Sequence, residues 1–187
     1  MNAMSEAMRV LGVVGSPRRG GNTETLIDEV LRGAEEAGGR VEKAVLSEID
    51  VRPCRACNAC SRLGRCVIED DMAGLLERMR ASSVWVLGTP VYWWGPTAWM
   101  KAFIDRWYGV DRALFRSKGV VLAVSSGGGP SYARLTVEML ESIIPYLGMR
   151  HLATLQAPGT SGPGSARRDS ALMRRAWSTG RRAVLGG

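Results

Sequence analysis

Along this chain, short apolar runs alternate with longer segments whose apolar residues recur every three or four positions. The runs ending at Val14, covering Arg40–Leu46, covering Ser83–Gly88 and covering Gly119–Val124 read as strands, with a weaker fifth at Arg150–Gln156. Between them, Leu26, Ile27, Val30, Leu31 and Ala34 fall on one face of a helix over Asn22–Ala37. Met72, Leu75, Leu76 and Met79 mark a second helix, begun by Asp70 or Asp71 and running to about Arg80. Further helices are expected over Thr97–Tyr108, about Ser131–Ile144 with Pro145 ending or kinking it, and about Ser165–Ala183.

Strictly alternating strands and helices predict an α/β fold with a parallel sheet and right-handed crossovers. Five strands with a polar loop after the first fit the flavodoxin-like three-layer sandwich, strand order 2-1-3-4-5. One domain is expected over residues 1–187, with the first seven residues outside the folded part and 47–70 as a cysteine-rich insertion. The 45% apolar content supports a real core. No run approaches the roughly 18 apolar residues of a membrane span, and no apolar leader opens the chain, so a cytoplasmic location is expected. Net charge is +7, carried mostly by scattered Arg residues around which no nucleic-acid motif stands. A basic surface tolerant of an anionic cofactor accounts for it, with neither nucleic acid nor membrane as partner.

The candidate chemistry begins where strand one ends. Gly15-Ser16-Pro17-Arg18-Arg19-Gly20-Gly21-Asn22-Thr23 joins a strand end to a helix start. Helix-terminal N–H groups, the side chains of Ser16, Asn22, Thr23 and Thr25, and the charge of Arg18 or Arg19 would cradle a phosphate. The bland alternative is an ordinary turn with polar caps. The loop lacks the Gly-Lys-Ser/Thr ending of a triphosphate loop and the spacing of a dinucleotide fingerprint. It also lacks a cysteine, which argues against a thiolate phosphatase. After strand three, Pro90-Val91-Tyr92-Trp93-Trp94 could line a flat aromatic ligand or a subunit interface. After strand four, Ser126-Gly127-Gly128 would let backbone N–H groups approach a ring edge, or is a flexible turn. The lone His151 reads as a core or edge residue, and Glu69, Asp70 and Asp71 as helix capping. With no nucleophile or carboxylate pair in view, any enzymatic chemistry would come from a cofactor.

Taken together, Gly15-Ser16-Pro17-Arg18-x-x-Gly21-Asn22-Thr23, Gly88-Thr89-Pro90-Val91-Tyr92-Trp93, Lys101-Ala102-Phe103-Ile104-Asp105-Arg106 and Asp70-Asp71-Met72 resemble the NADPH-dependent FMN reductase family. The likeness is good from Arg9 to Gly129 and architectural beyond. It implies that Ser16, Arg18, Gly21, Asn22 and Thr23 bind the FMN phosphate. Pro90, Val91, Tyr92 and Trp93 would line the ring, with Ser126, Gly127 and Gly128 on another side. Asp105-Arg106 is read as structural, an ion pair. Cys54-x-x-Cys57-x-x-Cys60-x5-Cys66 resembles the compact motif of iron–sulfur flavoproteins, which hold a four-iron cluster beside FMN. Free thiols and a zinc site are the alternatives. Since the cysteine segment follows strand two, it is expected to open at the same sheet edge as the flavin. The resemblance implies an enzyme in which NAD(P)H reduces FMN and electrons pass to a quinone, flavin or other small acceptor. A carrier relaying single electrons from a ferredoxin-like donor, and a non-enzymatic flavin- or zinc-binding module, are the other classes. A homodimer or homotetramer is expected.

Overall fold

The structure, a computed structural model, describes residues 7–186. The expectation for the extreme N-terminus thus falls mostly on residues 1–6, outside the described residues. Five parallel strands form one sheet: β1 Arg9–Val14, β2 Arg40–Val45, β3 Val84–Pro90, β4 Gly119–Ser125 and β5 Arg150–Ala157, in the order β2-β1-β3-β4-β5. The expected flavodoxin-like order is therefore observed.

The helices are α1 Asn22–Glu36, α2 Ala59–Leu63, α3 Met72–Ala81, α4 Ala98–Asp105, α5 Arg134–Tyr146, α6 Ser165–Arg168 and α7 Ser170–Leu185. The alternation within each strand sends residues to opposite cores. Leu11 and Val13 of β1 join Trp85, Leu122 and the buried faces of α3, α4 and α5. Val10 and Val14 join Val86, Val121 and the faces of α1 and α7.

The structure departs from the sequence reading at several element ends. Helix α4 stops at Asp105 and continues as a 3-10 turn over Arg106–Gly109. Pro145 lies in the last turn of α5 without ending it one residue earlier. The final helix is two, because Asp169 leaves helical geometry and its side chain accepts from Leu172 N, capping α7. The cysteine segment holds a short helix, α2, where only loop was expected.

Helices α1 and α7 touch backbone to backbone. A Cβ on Gly180 would stand 1.8 Å from Val30 O, and one on Gly33 would stand 2.0 Å from Trp177 O. Neither obstacle is a flexible side-chain end, so the helices would have to separate. Gly180→Ala is expected to lower unfolding free energy by about 1–3 kcal/mol, the usual cost of overpacking. Urea denaturation checks it, and an unchanged midpoint would refute the close approach. Among the described residues no helix is long and apolar enough to cross a membrane.

Candidate functional site

At the C-terminal edge of the sheet, the loop after β1 enters α1. Gly15 N donates to Gly88 O (2.7 Å), tying the loop to β3. The Ser16 hydroxyl accepts from Arg18 N (3.2 Å), and Gly21 N donates to Arg18 O (3.1 Å), closing the turn. The N-cap is Gly21, not Asn22 or Thr23, and α1 receives no side-chain cap. The first-turn N–H groups thus stay available to an anion.

Asn22 is occupied elsewhere. Its amide donates to Thr160 O (3.0 Å) and Gly162 O (2.9 Å), while its Oδ1 accepts from Ala166 N (3.0 Å). The side chain braces the loop after β5, leaving its backbone N–H for the anion. Thr23 Oγ1 lies 2.7 Å from Ser125 Oγ, joining α1 to β4. Arg19 pairs with Glu48 (2.9 Å) and approaches Glu24 (3.6 Å), whereas Arg18 is exposed and makes no ion pair among the described residues.

Glu24 is buried beneath this turn and accepts from Gly20 N (2.7 Å) and Lys43 Nζ (2.8 Å). Burial alone would raise its carboxyl; Lys43, the Gly20 N–H and Arg19 outweigh that and hold it below the usual glutamate value. A carboxylate lowered in the folded state stabilises above its unfolded value, about 4.3. That stabilisation is lost as pH falls through the lowered folded value. Melting curves taken from pH 6 to pH 3 are expected to show this acid limb, flattened in Glu24→Gln. Superimposable limbs in the two proteins would count against the assignment.

A cavity of about 280 Å³ lies over the turn, lined among others by Ser16, Arg18, Gly21, Asn22, Thr23, Pro90 and Tyr92. A second, of about 210 Å³, is lined by Val91, Trp93, Trp94, Ser126, Gly127, Gly128 and Tyr132. The two alternate along the same segments, 90–93 and 125–128. The structure therefore places all twelve expected cofactor residues on the linings of these two cavities. Arg19, Ser125, Thr160 and Pro163 also line the first, and Trp94 and Tyr132 the second. The edge rule for open sheets applies to strand five as much as to the others. Applied there, it would have found Thr160 and Pro163 in the Gly/Pro/Ser loop.

The aromatic loop has an unusual backbone. Tyr92 and Gly95 exchange hydrogen bonds of 2.9 and 3.0 Å, and Trp93 and Trp94 between them have φ of 49° and 63°. A two-residue turn with both central residues left-handed normally takes Asn-Gly. Here it holds two indoles outward: Trp93 is 91% exposed, and Trp94 stacks on Tyr132 at 6.3 Å and 11°. Strain kept at a cavity mouth is a mark of function. Chemically, the residues present fit FMN: an uncapped helix start with Ser16 and Arg18 for a phosphate, and an aromatic, glycine-lined slot for a flat ring.

The cysteines form a separate place. Cys54, Cys57, Cys60 and Cys66 line one space together with Arg106, Tyr108 and Gly109, and no cysteine lines either cavity described above. Helix α4 divides the two sites. Its N-cap Thr97 donates to Gly15 O of the phosphate turn (2.5 Å), and Arg106 and Gly109 follow its other end. Eight helical residues span about 12 Å. The expected common opening at the flavin edge is thus replaced by two sites at opposite ends of one helix.

Asp105 and Arg106 do not pair with each other. Asp105 accepts from Lys101 Nζ (2.6 Å), while Arg106 forks onto Asp70, both side chains almost fully buried. Burial would raise Asp70, but Arg106 and the N–H groups of Arg52 and Met72 hold it below the usual aspartate value. The N-cap of α3 is Asp71, which makes no side-chain cap hydrogen bond and instead accepts from Asp50 N (2.7 Å); Asp70, one residue earlier, accepts from Met72 N (3.2 Å). His151, exposed on edge strand β5, has Nε2 2.8 Å from Thr154 Oγ1, with nothing of the site nearby.

The cysteine loop suits a thiolate-held centre by composition and backbone. Ala56 and Asn58 adopt left-handed φ of 52° each, which turns the chain tightly between Cys54 and Cys60. A Cβ on Gly109 would meet Cys60 Cβ at 3.2 Å, so that wall is shaped to the thiols. Between Val51 and Ile68 stand Arg52, Arg55, Arg62 and Arg65 and no acid, charge that complements thiolates. The enclosed space is about 20 Å³, and no three of His, Cys, Asp or Glu among the described residues are placed to hold a metal ion. A four-iron cluster needs more room than that; Cys54 and Cys57 are exposed, and Cys60 and Cys66 half-buried.

Comparison with known proteins gives a family for the chain. A family model described as NADPH-dependent FMN reductase matches residues 8–161. An iron-sulfur flavoprotein of Methanosarcina thermophila is 39% identical over 122 residues, 65% of this chain and 64% of that protein. An iron-sulfur flavoprotein of Methanocaldococcus jannaschii is 39% identical over 99 residues, 53% of this chain and 51% of that one. The chain thus spans between half and two thirds of the length of these relatives. The solved NAD(P)H:quinone oxidoreductase from Methanothermobacter marburgensis superposes with a TM-score of 0.74 at 20% identity, covering 95% of this chain and 96% of that one, a likeness of fold.

Proposed function

Because the chain belongs to the NADPH-dependent FMN reductase family, we propose that it is an FMN-dependent oxidoreductase, oxidising NAD(P)H and reducing a quinone, flavin or other small acceptor. The observation that carries this reading is that the cavity over an uncapped helix start and an aromatic, glycine-lined slot are lined by consecutive residues of the same segments, 90–93 and 125–128. When bound, FMN supplies a two-electron carrier able to accept hydride. The protein's own part is to bind and orient. First-turn N–H groups of α1, the Ser16 hydroxyl and the Arg18 guanidinium would hold the phosphate, with Asn22 and Thr23 bracing the walls. Pro90, Val91, Tyr92 and Trp93 would bound the ring on one side and Ser126, Gly127 and Gly128 on the other. No side chain of the site is suited to nucleophilic catalysis, so the residues position the reactants and exclude water.

A second reading is an iron–sulfur flavoprotein that passes single electrons through a four-iron cluster, from a ferredoxin-like donor, to FMN. The four thiols lining one space favour it, as do the names of the relatives above. Free thiols or a clustered iron centre both suit a reducing cytoplasm. The exposed Trp93 suits a homodimer or homotetramer in which a second copy covers the slot.

Anaerobic purification decides between these readings. A yellow protein without iron that turns over NADPH supports the first, and a brown one with stoichiometric iron and sulfide the second. Protein that stays colourless with added FMN sinks both and leaves a non-enzymatic module.

The strained turn gives a further check. Trp93→Asn with Trp94→Gly relieves about 1–2 kcal/mol per left-handed residue and forfeits roughly 0.5–1.5 kcal/mol of stacking on Tyr132. The double variant is expected to be more stable without FMN, by about 1–2 kcal/mol, yet to bind FMN more weakly. Equal FMN affinity in a fluorescence titration would remove the turn from the ring site.

A further inference from the structure

Arg106 is the hub of the cysteine segment. Its Nη1 donates to Arg52 O (3.0 Å) and its Nη2 to Ile68 O (3.4 Å), so one guanidinium ties down the chain just before Cys54 and just after Cys66. Both Nη atoms also donate to Asp70, itself fixed by the N–H groups of Arg52 and Met72. The remaining donor, Nε–H, is buried with no hydrogen-bond partner. A buried unpaired guanidinium N–H is costly, and such an exception calls for a ligand group. The side chain is nearly inaccessible, 2% exposed, and lines the same space as Cys54, Cys57, Cys60 and Cys66.

Resting on the cluster reading of the cysteines, we infer that Arg106 is a positioning residue for the cluster: it clamps both ends of the loop and offers its spare Nε–H to sulfur, either the Cys66 thiolate or an inorganic sulfide. A donor to sulfur favours the more negative, reduced cluster and so raises its potential. Outer-shell partners of this kind matter to retention as well as tuning, since their loss typically weakens metal holding about 10–100-fold. The placement also explains why this residue follows α4 directly. The helix that steadies the phosphate turn through Thr97 carries the clamp of the cysteine loop at its other end.

The test uses the full chain with FMN, loaded anaerobically with iron and sulfide. Arg106→Lys keeps a cation but has no Nε–H donor beside the fork. Arg106→Gln with Asp70→Asn removes both charges together, so neither is left buried alone. Far-UV circular dichroism and FMN titration report whether each variant folds, and FMN affinity is expected within about twofold of wild type because α4 separates the sites. Redox titration is expected to give a lower cluster potential in both variants, and the cluster absorbance to bleach at least about tenfold faster. A folded Arg106→Lys protein with wild-type potential and bleaching rate overturns the inference. Wild-type protein that takes up no iron overturns the cluster reading itself and the inference with it, an outcome visible before any variant is made.

Discussion

Thr97→Val is expected to destabilise the protein by about 2–4 kcal/mol and to weaken FMN binding at least about tenfold. Thr97 is fully buried at the N-cap of α4. Its hydroxyl donates to Gly15 O at 2.5 Å and accepts from Met100 N at 3.2 Å, and its own N–H donates to Thr89 Oγ1 at 3.0 Å. Valine has the same shape and no hydroxyl. The change would leave the Gly15 carbonyl without this donor and the Met100 N–H without its cap. A lost cap costs about 1 kcal/mol, and a buried group left unpaired about 1–3 kcal/mol. For a chain of this size that lowers the melting temperature by roughly 5–15 °C. The effect on FMN follows from place. Gly15 immediately precedes Ser16, so freeing its carbonyl loosens the turn that presents the phosphate donors. Thr97→Ser, which keeps the hydroxyl, is expected to retain most of the stability and of the FMN affinity. Melting of the FMN-free protein and fluorescence titration check both effects. A valine variant that melts within a degree of wild type would show that this hydrogen bond does not hold the turn.

What could be read from the residues, and what could not, divides by range. The five strands and the face of α1 follow from apolar spacing, a local property, and the sheet order follows from the alternation of elements. The twelve candidate cofactor residues were implied by the family resemblance, and their place at the carboxyl edge of the sheet agrees with where ligands of such sheets gather. Asn22 looked like a phosphate donor because its neighbours in sequence suggest a cap. Its actual partners lie 138 and 140 residues away, beyond any local pattern. Arg106 looked like a partner of adjacent Asp105, whereas Asp70, 36 residues earlier, takes it into the interior. The turn at Trp93 and Trp94 was hidden for the opposite reason. Local propensity argues against two tryptophans in left-handed geometry, and the Tyr92–Gly95 hydrogen bonds, the Thr136 hydroxyl donating to Trp94 O and the Tyr132 stack hold them there. Four of the five non-glycine residues with left-handed φ among the described residues, Ala56, Asn58, Trp93 and Trp94, thus fall at the two candidate sites.

Replacing Cys57 and Cys60 together with alanine is expected to take iron from stoichiometric to background while leaving FMN binding unchanged. The expectation rests on the separation of the sites. All four cysteines border the space beside Gly109, and none borders either cavity at the phosphate turn. A four-iron cluster takes one thiolate per iron, so removing two of four ligands leaves half the irons without protein anchors. Cys57 is exposed and Cys60 half-buried, so truncating them opens little internal cavity and the change in stability is expected to stay under about 1 kcal/mol. The variant should therefore fold and turn yellow with FMN, and should lose any brown colour with its iron and sulfide. If the cysteines serve only as free thiols, wild type and variant will be equally free of iron. If they hold zinc, wild type will carry one zinc per chain in place of iron, and the variant none. Stoichiometric iron persisting in the variant would refute the ligand assignment outright. NADPH oxidation in the same two samples then shows whether electrons reach a small acceptor without the cluster. Undiminished turnover in the iron-free variant places the reductase reaction on the FMN site alone. Turnover that falls with the iron makes the cysteine centre part of the electron path along α4.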